Sequence, residues 1–199
     1  MKNTLEYIVK KYSLKPAKRG STEIKNMGRE QLAELFGELE FKKGVEVGVA
    51  QGKYSDTMVQ SNPHLEMLWG VDPYEPHQGY RDYSRVGTFN KLKTRAHELL
   101  DGYDNYTFIE AYSDEAVEDF EDGELDFVYI DGDHCFEAVV ADIAMWSRKV
   151  RKGGIISGDD YFKSRGNARI QVVPAVNGYT AAWQISPWFL VGSGAKKPG

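Results

Sequence analysis

The chain has 199 residues, of which 41% are hydrophobic and 28% charged, as in an ordinary soluble globular domain. Its formal net charge of −5 and the lack of a dense Lys/Arg run argue against nucleic acid and anionic membranes as partners. The single cysteine, Cys135, excludes an internal disulfide framework, and no apolar stretch reaches the ~20 residues that cross a bilayer. We therefore expect one cytoplasmic domain spanning residues 1–199.

The first 42 residues are predicted to hold two helices that cover the sheet. Apolar side chains recur at helical spacing in two places, at Leu5, Ile8, Val9 and Tyr12, and again at Leu32, Leu35, Phe36 and Leu39. A polar, basic link at residues 15–20 separates them and is a candidate flap.

Residues 43–161 alternate short apolar runs with helical periods. Strands are predicted at residues 44–49, 67–71, 106–109, 127–130 and 155–156, with helices between them. Such alternation predicts an α/β fold with a doubly wound, mostly parallel sheet. The remaining residues, 162–199, are predicted to form a helix with Pro174 in its first turn, then one or two closing strands between 183 and 191, including an antiparallel strand near the C-terminus.

The loop at residues 74–83 is rich in aromatic and hydrogen-bonding side chains. It is either a lid over a site or a well-packed surface excursion, and the sequence does not separate these alternatives.

Carboxylates follow two of the predicted strands directly. Asp131 ends the strand at 127–130, and Asp159 and Asp160 end the strand at 155–156. Because the carboxyl ends of parallel neighbours share one edge of a sheet, these three side chains should lie close together and repel one another. Oxygen ligands suit a hard divalent cation, so the cluster predicts a Mg²⁺ site.

The first strand leads into a turn with two glycines, Gly48 and Gly52. A dinucleotide fingerprint needs glycine at its first, third and sixth positions, but the sixth position counted from Gly48 is Lys53. A Walker-type phosphate loop is absent as well. The turn therefore disfavours a diphosphate cofactor, and a nicotinamide oxidoreductase remains only a remote alternative.

These features together resemble a known family. The segment from Glu46 to Ser55 (EVGVAQGKYS), then Asp72, Asp131 and the Asp159-Asp160 pair at successive strand ends, resembles class I S-adenosylmethionine-dependent methyltransferases. The pieces Ile-Asp-Gly-Asp-His and Gly-Asp-Asp-Tyr most resemble the metal-dependent small-molecule O-methyltransferases of the catechol and macrolide-sugar type. The resemblance covers residues 43–161 and implies a Rossmann-like methyltransferase sheet.

The resemblance also implies roles for individual residues. Glu46 and Gly48 would contact the methionine portion of S-adenosylmethionine, with Gly52 allowing close backbone approach and Ser55 adding a contact. Asp72 would accept hydrogen bonds from the ribose hydroxyls, which suits a neutral diol and would repel a phosphate. Ser113 would lie near the adenine, and Asp131 would border the cofactor while holding Mg²⁺ with Asp159 and Asp160.

The general base remains open at this stage. His134 occupies the position at which catechol-type enzymes carry a lysine base, and Asp133 competes with it. This difference from the family pattern also weakens any transfer of catechol as the substrate.

Each candidate residue also has an ordinary structural explanation. Asp72, Asp159 and Asp160 could be plain turn residues, Glu46 a hydrogen-bonded core carboxyl, Asp133 or His134 a helix cap and Cys135 a packing residue.

The favoured hypothesis is Mg²⁺-dependent O-methylation of a small hydroxylated molecule by a protein that could be a homo-oligomer. The alternatives are a metal-independent N- or protein methyltransferase and a non-catalytic binding module with the same fold.

Overall fold

The computed structural model of the protein describes residues 3–75, 86–162 and 170–192. Its helices are α1 (Thr4–Lys11), α2 (Arg29–Glu38), α3 (Lys53–Ser61), α4 (Val86–Leu100), α5 (Ser113–Ala116) with a 3₁₀ turn at Val117–Asp119, α6 (Phe136–Lys149) and α7 (Val172–Ala182). Its strands are β1 (Ser21–Ile24), β2 (Lys43–Val47), β3 (Met67–Val71), β4 (Tyr106–Ile109), β5 (Leu125–Ile130), β6 (Val150–Gly158) and β7 (Trp188–Val191). Within these ranges, every helix is too short or too polar to cross a bilayer.

The main sheet has five parallel strands in the order β4-β3-β2-β5-β6. The chain runs outward from β2 through β3 to β4, then returns to place β5 on the other side of β2. This confirms the predicted doubly wound α/β class. The strand order reverses between β2 and β5, which is where open α/β sheets bind ligands.

The strands end level with one another. Val47 pairs with Val71 on one side and with Ile130 on the other, and Ile130 pairs with Gly158. The next residues along the chain, Gly48, Asp72, Asp131 and Asp159, therefore form a row along one edge of the sheet. The predicted convergence of the strand ends is confirmed.

Alternating side chains of the strands fill two cores, one on each face of the sheet. On the face covered by α2 and α3, the rings of Phe36 and Phe127 stack with their centroids 4.1 Å apart. On the other face, Val45 and Val128 pack with Trp146 of α6. Because burying one such side chain contributes about 1.5–3 kcal/mol, these two layers fix the sheet and hence the positions of the strand ends.

The closing strand differs from its prediction in orientation. Trp188–Val191 forms β7, but it pairs in parallel with β1, in a separate two-stranded sheet. The expected antiparallel strand is therefore wrong. Antiparallel pairing is expected of strands joined by a short turn, whereas β1 lies near the other end of the chain. Trp183 is not in a strand, because it caps the end of α7.

Some predictions fall outside the described residues. These are the loop residues 76–83 and, within the predicted C-terminal part 162–199, residues 163–169 and 193–199.

Candidate active site at the carboxyl edge of the sheet

Gly48 lies where β2 and β5 come closest. Its φ of +91° is in the left-handed region, and a Cβ atom added there would lie 2.1 Å from the carbonyl oxygen of Asp131. The amide of Gly48 donates to Val71, and the amide of Asp131 donates to Val47. The fold therefore requires glycine at this position whether or not a ligand approaches it.

Gly52 also has a structural reason to be glycine. It is the N-cap of α3 with a φ of +78°, and an added Cβ would lie 2.6 Å from the side chain of Leu100. Close backbone approach to a cofactor at Gly48 and Gly52 stays a prediction, since packing alone explains both residues.

Glu46 is a buried acid, with only 2% of its surface exposed. It accepts a hydrogen bond from Ser55, whose Oγ is also 3.1 Å from the hydroxyl oxygen of Tyr106. Gly70 makes room for that tyrosine, because a Cβ there would lie 1.8 Å from its hydroxyl oxygen. Burial raises the pKa of Glu46 to about 8, although the hydrogen bond from Ser55 acts in the opposite direction. Two interpretations account for the buried carboxyl of Glu46: it is a neutral group of the core, or it binds a cationic ligand.

Asp72 ties two loops together at the end of β3. Its Oδ2 accepts from the amide of Ala50 at 2.9 Å, and its Oδ1 accepts from the amide of Tyr74 at 2.8 Å. Burial raises the pKa of Asp72, and these amides partly counteract the shift. A carboxylate oxygen accepts more than one hydrogen bond, so the side chain retains acceptor capacity for a diol.

Tyr74 adds an unsatisfied hydroxyl next to this carboxylate. Its side chain is only 7% exposed, and its hydroxyl has no hydrogen-bond partner among the described residues. Since buried polar groups nearly always find a partner, a group outside the described residues, a water or a ligand would satisfy this hydroxyl.

Three side chains converge at the ends of β5 and β6. His134 Nε2 is 3.3 Å from Asp131 Oδ1 and 3.1 Å from Asp160 Oδ2. Asp160 has a φ of +58°, a left-handed conformation that aspartate tolerates better than most residues. Burial raises the pKa of Asp131, and the hydrogen bond from His134 opposes the shift. The imidazole therefore lies between two carboxylates that would otherwise repel each other.

Asp159 faces a different set of partners. Its Oδ2 accepts from the Tyr129 hydroxyl at 3.0 Å and is 3.6 Å from Arg29 Nη1, and its Oδ1 accepts from the amide of Asp160. The structure thus brings together two of the three predicted metal ligands, Asp131 and Asp160, and adds His134 to them.

Asp133 acts at the start of α6. Its Oδ1 accepts from the amide of Cys135 at 3.0 Å, which forms a local turn just before the helix. The N-cap itself is Cys135, so Asp133 orders the entry to α6 without capping it. Burial raises the pKa of the Cys135 thiol, which makes the thiolate less available and fits a packing role.

The hydroxyl of Ser113 is hydrogen-bonded to two side chains of α6. It donates to Asp142 Oδ1 at 2.5 Å and accepts from Trp146 Nε1 at 2.8 Å. Burial raises the pKa of Asp142 to about 6. Asp142 was not among the residues predicted from the sequence, although its helical spacing from Val139 and Trp146 places it on the buried face of α6.

The convergent group can accommodate a divalent cation. One ligand atom from each of Asp131, His134 and Asp160 lies within 4.8 Å of the others. Two carboxylate oxygens suit Mg²⁺, Ca²⁺ or Mn²⁺, whereas an imidazole nitrogen is more typical of metals such as Zn²⁺ or Ni²⁺. The residues fit a metal ion, with a donor set that differs from the predicted all-oxygen one.

Comparison with known proteins agrees with the family that the sequence motifs resemble. The sequence model of a family described as "Methyltransferase domain" matches residues 45–161, which contain the whole edge described above. The chain belongs to this family of methyltransferase domains. The resemblance to class I S-adenosylmethionine-dependent methyltransferases is thereby confirmed at the level of family and fold.

Individual relatives are distant. An uncharacterised protein of Acanthamoeba polyphaga mimivirus is 32% identical over 151 residues, covering 72% of this chain and 63% of that protein. The chain thus spans less than two thirds of the length of this relative.

Two solved structures share the fold. A proposed O-methyltransferase from Klebsiella pneumoniae superposes with a TM-score of 0.58 at 17% identity, covering 94% of this chain and 80% of the other. The O-methyltransferase from Bacillus cereus in complex with SAH superposes with a TM-score of 0.54 at 16% identity, covering 92% of this chain and 80% of the other.

Proposed function

We propose that the protein is an S-adenosylmethionine-dependent methyltransferase that methylates an oxygen of a small hydroxylated molecule. One observation carries the proposal: Glu46, Asp72, Asp131 and Asp160 lie along one sheet edge, at the reversal of strand order, in a methyltransferase-domain chain. Acidic groups at this edge suit a ligand with a sulfonium, an ammonium and a neutral diol, and they would repel a phosphate.

Different residues of the chain would bind different parts of the cofactor. Glu46, buried and protonated when alone, would become a hydrogen-bond acceptor for the cofactor's ammonium group. Asp72, already oriented by the amides of Ala50 and Tyr74, would accept from the two ribose hydroxyls. The unsatisfied hydroxyl of Tyr74 gives a further polar contact next to that site.

The acceptor is expected at the ends of β5 and β6. S-adenosylmethionine, when bound, supplies a methyl group attached to a sulfonium sulfur, and that sulfur is a good leaving group because it departs as a neutral thioether when an oxygen attacks the methyl carbon. His134 is placed to take the proton released by that oxygen, and the carboxylates of Asp131 and Asp160 would stabilise the protonated ring.

A divalent cation would use the same three side chains. When bound, it lowers the pKa of a coordinated hydroxyl and fixes the direction of the oxygen. With His134 as a ligand, the base would be another group, and Asp133 is the next candidate because its carboxylate is near the start of α6.

A metal-independent methyltransferase is the second candidate, because side chains of the protein itself lie against the carboxylates. His134 lies between Asp131 and Asp160, and Arg29 lies near Asp159. The repulsion that predicts a metal is therefore already reduced by two side chains of the chain itself.

Calorimetric titration with S-adenosylhomocysteine, with Mg²⁺ and then with chelator, tests the proposal. We expect binding in both buffers, and we expect methyl transfer to a hydroxylated acceptor to stop with chelator and in Asp131→Asn. Transfer that persists with chelator would favour the metal-independent candidate. If S-adenosylhomocysteine does not bind at all, the methyltransferase proposal is wrong.

A further inference from the structure

Arg29 places a positive charge at the same edge. It is the first residue of α2, and its guanidinium lies over the ring of Tyr54, with Cζ 5.5 Å from the ring centroid. The Tyr54 hydroxyl donates to the carbonyl oxygen of Arg29 at 2.9 Å. The backbone and the head of Arg29 are thus both positioned against α3, close to the ends of the strands.

Tyr54 connects this arginine to the centre of the edge. Its ring packs against Tyr129 with centroids 4.3 Å apart, and Tyr129 in turn donates to Asp159. Burial is the main cause of the raised pKa of Glu46, and the positive charge of Arg29 is among the effects that lower it. Arg29 therefore lies beside Asp159, and its charge also acts on Glu46.

The ion pair of Arg29 is weak enough to be exchanged. Its Nη1 is 3.6 Å from Asp159 Oδ2, which is beyond hydrogen-bond distance, and about half of each side chain is exposed. Such pairs contribute little to stability, so a better anion can replace Asp159 at small cost.

The proposed cofactor brings an anion to this place. The methionine end of S-adenosylmethionine carries an ammonium group and a carboxylate on one carbon, and the ammonium is assigned above to Glu46. The carboxylate would then lie close to the ammonium and hence near Asp131 and Asp159, whose negative charges would repel it. A guanidinium has a planar pair of donors that matches a carboxylate, and it keeps its charge at any relevant pH.

We propose that Arg29 binds the carboxylate of the methionine portion of S-adenosylmethionine, giving up its contact with Asp159. This inference rests on the proposed function. It adds a specificity: the site should prefer the complete cofactor to its decarboxylated form, because only the complete form has the group that Arg29 binds.

Paired titrations test this. Wild type, Arg29→Gln and Arg29→Lys are titrated with S-adenosylhomocysteine and with decarboxylated S-adenosylhomocysteine, which keeps the amine and the nucleoside. We expect Arg29→Gln to weaken binding of S-adenosylhomocysteine by about tenfold to a hundredfold, as for a lost hydrogen bond between charged groups, with less than about a twofold change for the decarboxylated probe. Arg29→Lys should retain part of the preference.

Arg148→Gln is the matched control, because it also removes one exposed guanidinium. Arg148 pairs with Asp122 at the end of α6, next to the start of β6 and thus at the opposite edge of the sheet. It should leave both affinities unchanged. The inference is overturned if Arg29→Gln weakens both probes equally or neither. If wild type binds neither probe, the proposed methyltransferase function is wrong as well. Failure of the Arg29 inference alone therefore differs from failure of the proposed function, because in the first case wild type still binds S-adenosylhomocysteine.

Discussion

At the scale of single residues, the site is unusual for its buried acid. Glu46 lies inside β2, between β3 and β5, and its side chain accepts a hydrogen bond from the Ser55 hydroxyl. A carboxyl in such a place is stable when protonated, and burial raises its pKa to about 8. The folded protein without a ligand therefore keeps a proton on Glu46 that the unfolded chain would release at neutral pH.

This proton makes a pH-dependent prediction for Glu46→Gln. Between the unfolded pKa near 4.3 and the folded pKa of about 8, the native state binds more protons, so this group lowers the stability of the wild type as pH rises. The Glu46→Gln variant lacks this pH-dependent loss of stability, because an amide does not titrate. In ligand-free urea unfolding, the free energy of unfolding of Glu46→Gln minus that of wild type should increase by a few kcal/mol from about pH 5 to about pH 8.5.

Glu66→Gln controls for the loss of any carboxylate, because Glu66 is an exposed residue paired with Lys42. Its difference from wild type should change little over the same range. A difference for Glu46→Gln that stays constant with pH would contradict a neutral buried carboxyl.

Residue-level prediction from the sequence worked where a residue sits next to a strand end. Asp72, Asp131 and Asp160 follow strands whose apolar runs are visible in the sequence, so their common edge could be predicted. The contacts of Arg29 could not be predicted, because its partner Asp159 is far away along the chain and an exposed arginine carries no local signal.

At the scale of elements, the junction of β2 and β5 holds the site in shape. The two strands are neighbours only because the chain leaves β2 in one direction and returns on its other side. Gly48 lies at this junction with its Cα against the backbone of Asp131. A side chain there would separate the two strand ends that carry Glu46 and Asp131.

Gly48→Ala should therefore be strongly destabilising. The variant combines a positive φ with a Cβ 2.1 Å from the Asp131 carbonyl oxygen, so we expect a loss of about 3 kcal/mol or more, or failure to fold. Gly87→Ala is the control, because Gly87 lies in α4 with nothing within 4 Å of an added Cβ. It should stabilise by about 0.5–1 kcal/mol. Similar melting temperatures for the two variants would show that the junction is not strained.

The sequence predicted the regular elements of the core better than the closing ones. β5 and α6 have long apolar runs and helical periods, so both were found. β1 was not predicted, since Ile24 is its only buried residue and its pairing depends on β7 near the other end of the chain. That long-range pairing also explains why the orientation of β7 was predicted incorrectly.

At the scale of the whole molecule, acidic charge is concentrated where ligands are expected. The chain carries a net charge of −5, and three aspartates lie at the ends of the adjacent strands β5 and β6. A cation that binds there acts on the folded state alone, because the unfolded chain does not hold Asp131, His134 and Asp160 together. Its binding should therefore appear as added stability of the entire protein.

We expect Mg²⁺ or Mn²⁺ to raise the melting temperature by about 5–10 °C at a hundredfold excess over the dissociation constant. The shift should shrink at acidic pH, since the metal must compete with protons for its ligands. NaCl at equal ionic strength separates site binding from general screening of the negative charge, because it supplies the screening without a divalent ion.

Matched variants identify the site. Asp160→Asn should lose most of the shift, whereas Asp122→Asn, at an exposed carboxylate paired with Arg148 and Lys149, should keep it. A larger shift with Ni²⁺ than with Mg²⁺ that is lost in His134→Gln would indicate that His134 is a ligand, because imidazole suits Ni²⁺ better than Mg²⁺. An equal shift in NaCl would mean that the cation only screens the negative charge, and a full shift in Asp160→Asn would mean that it binds away from this group.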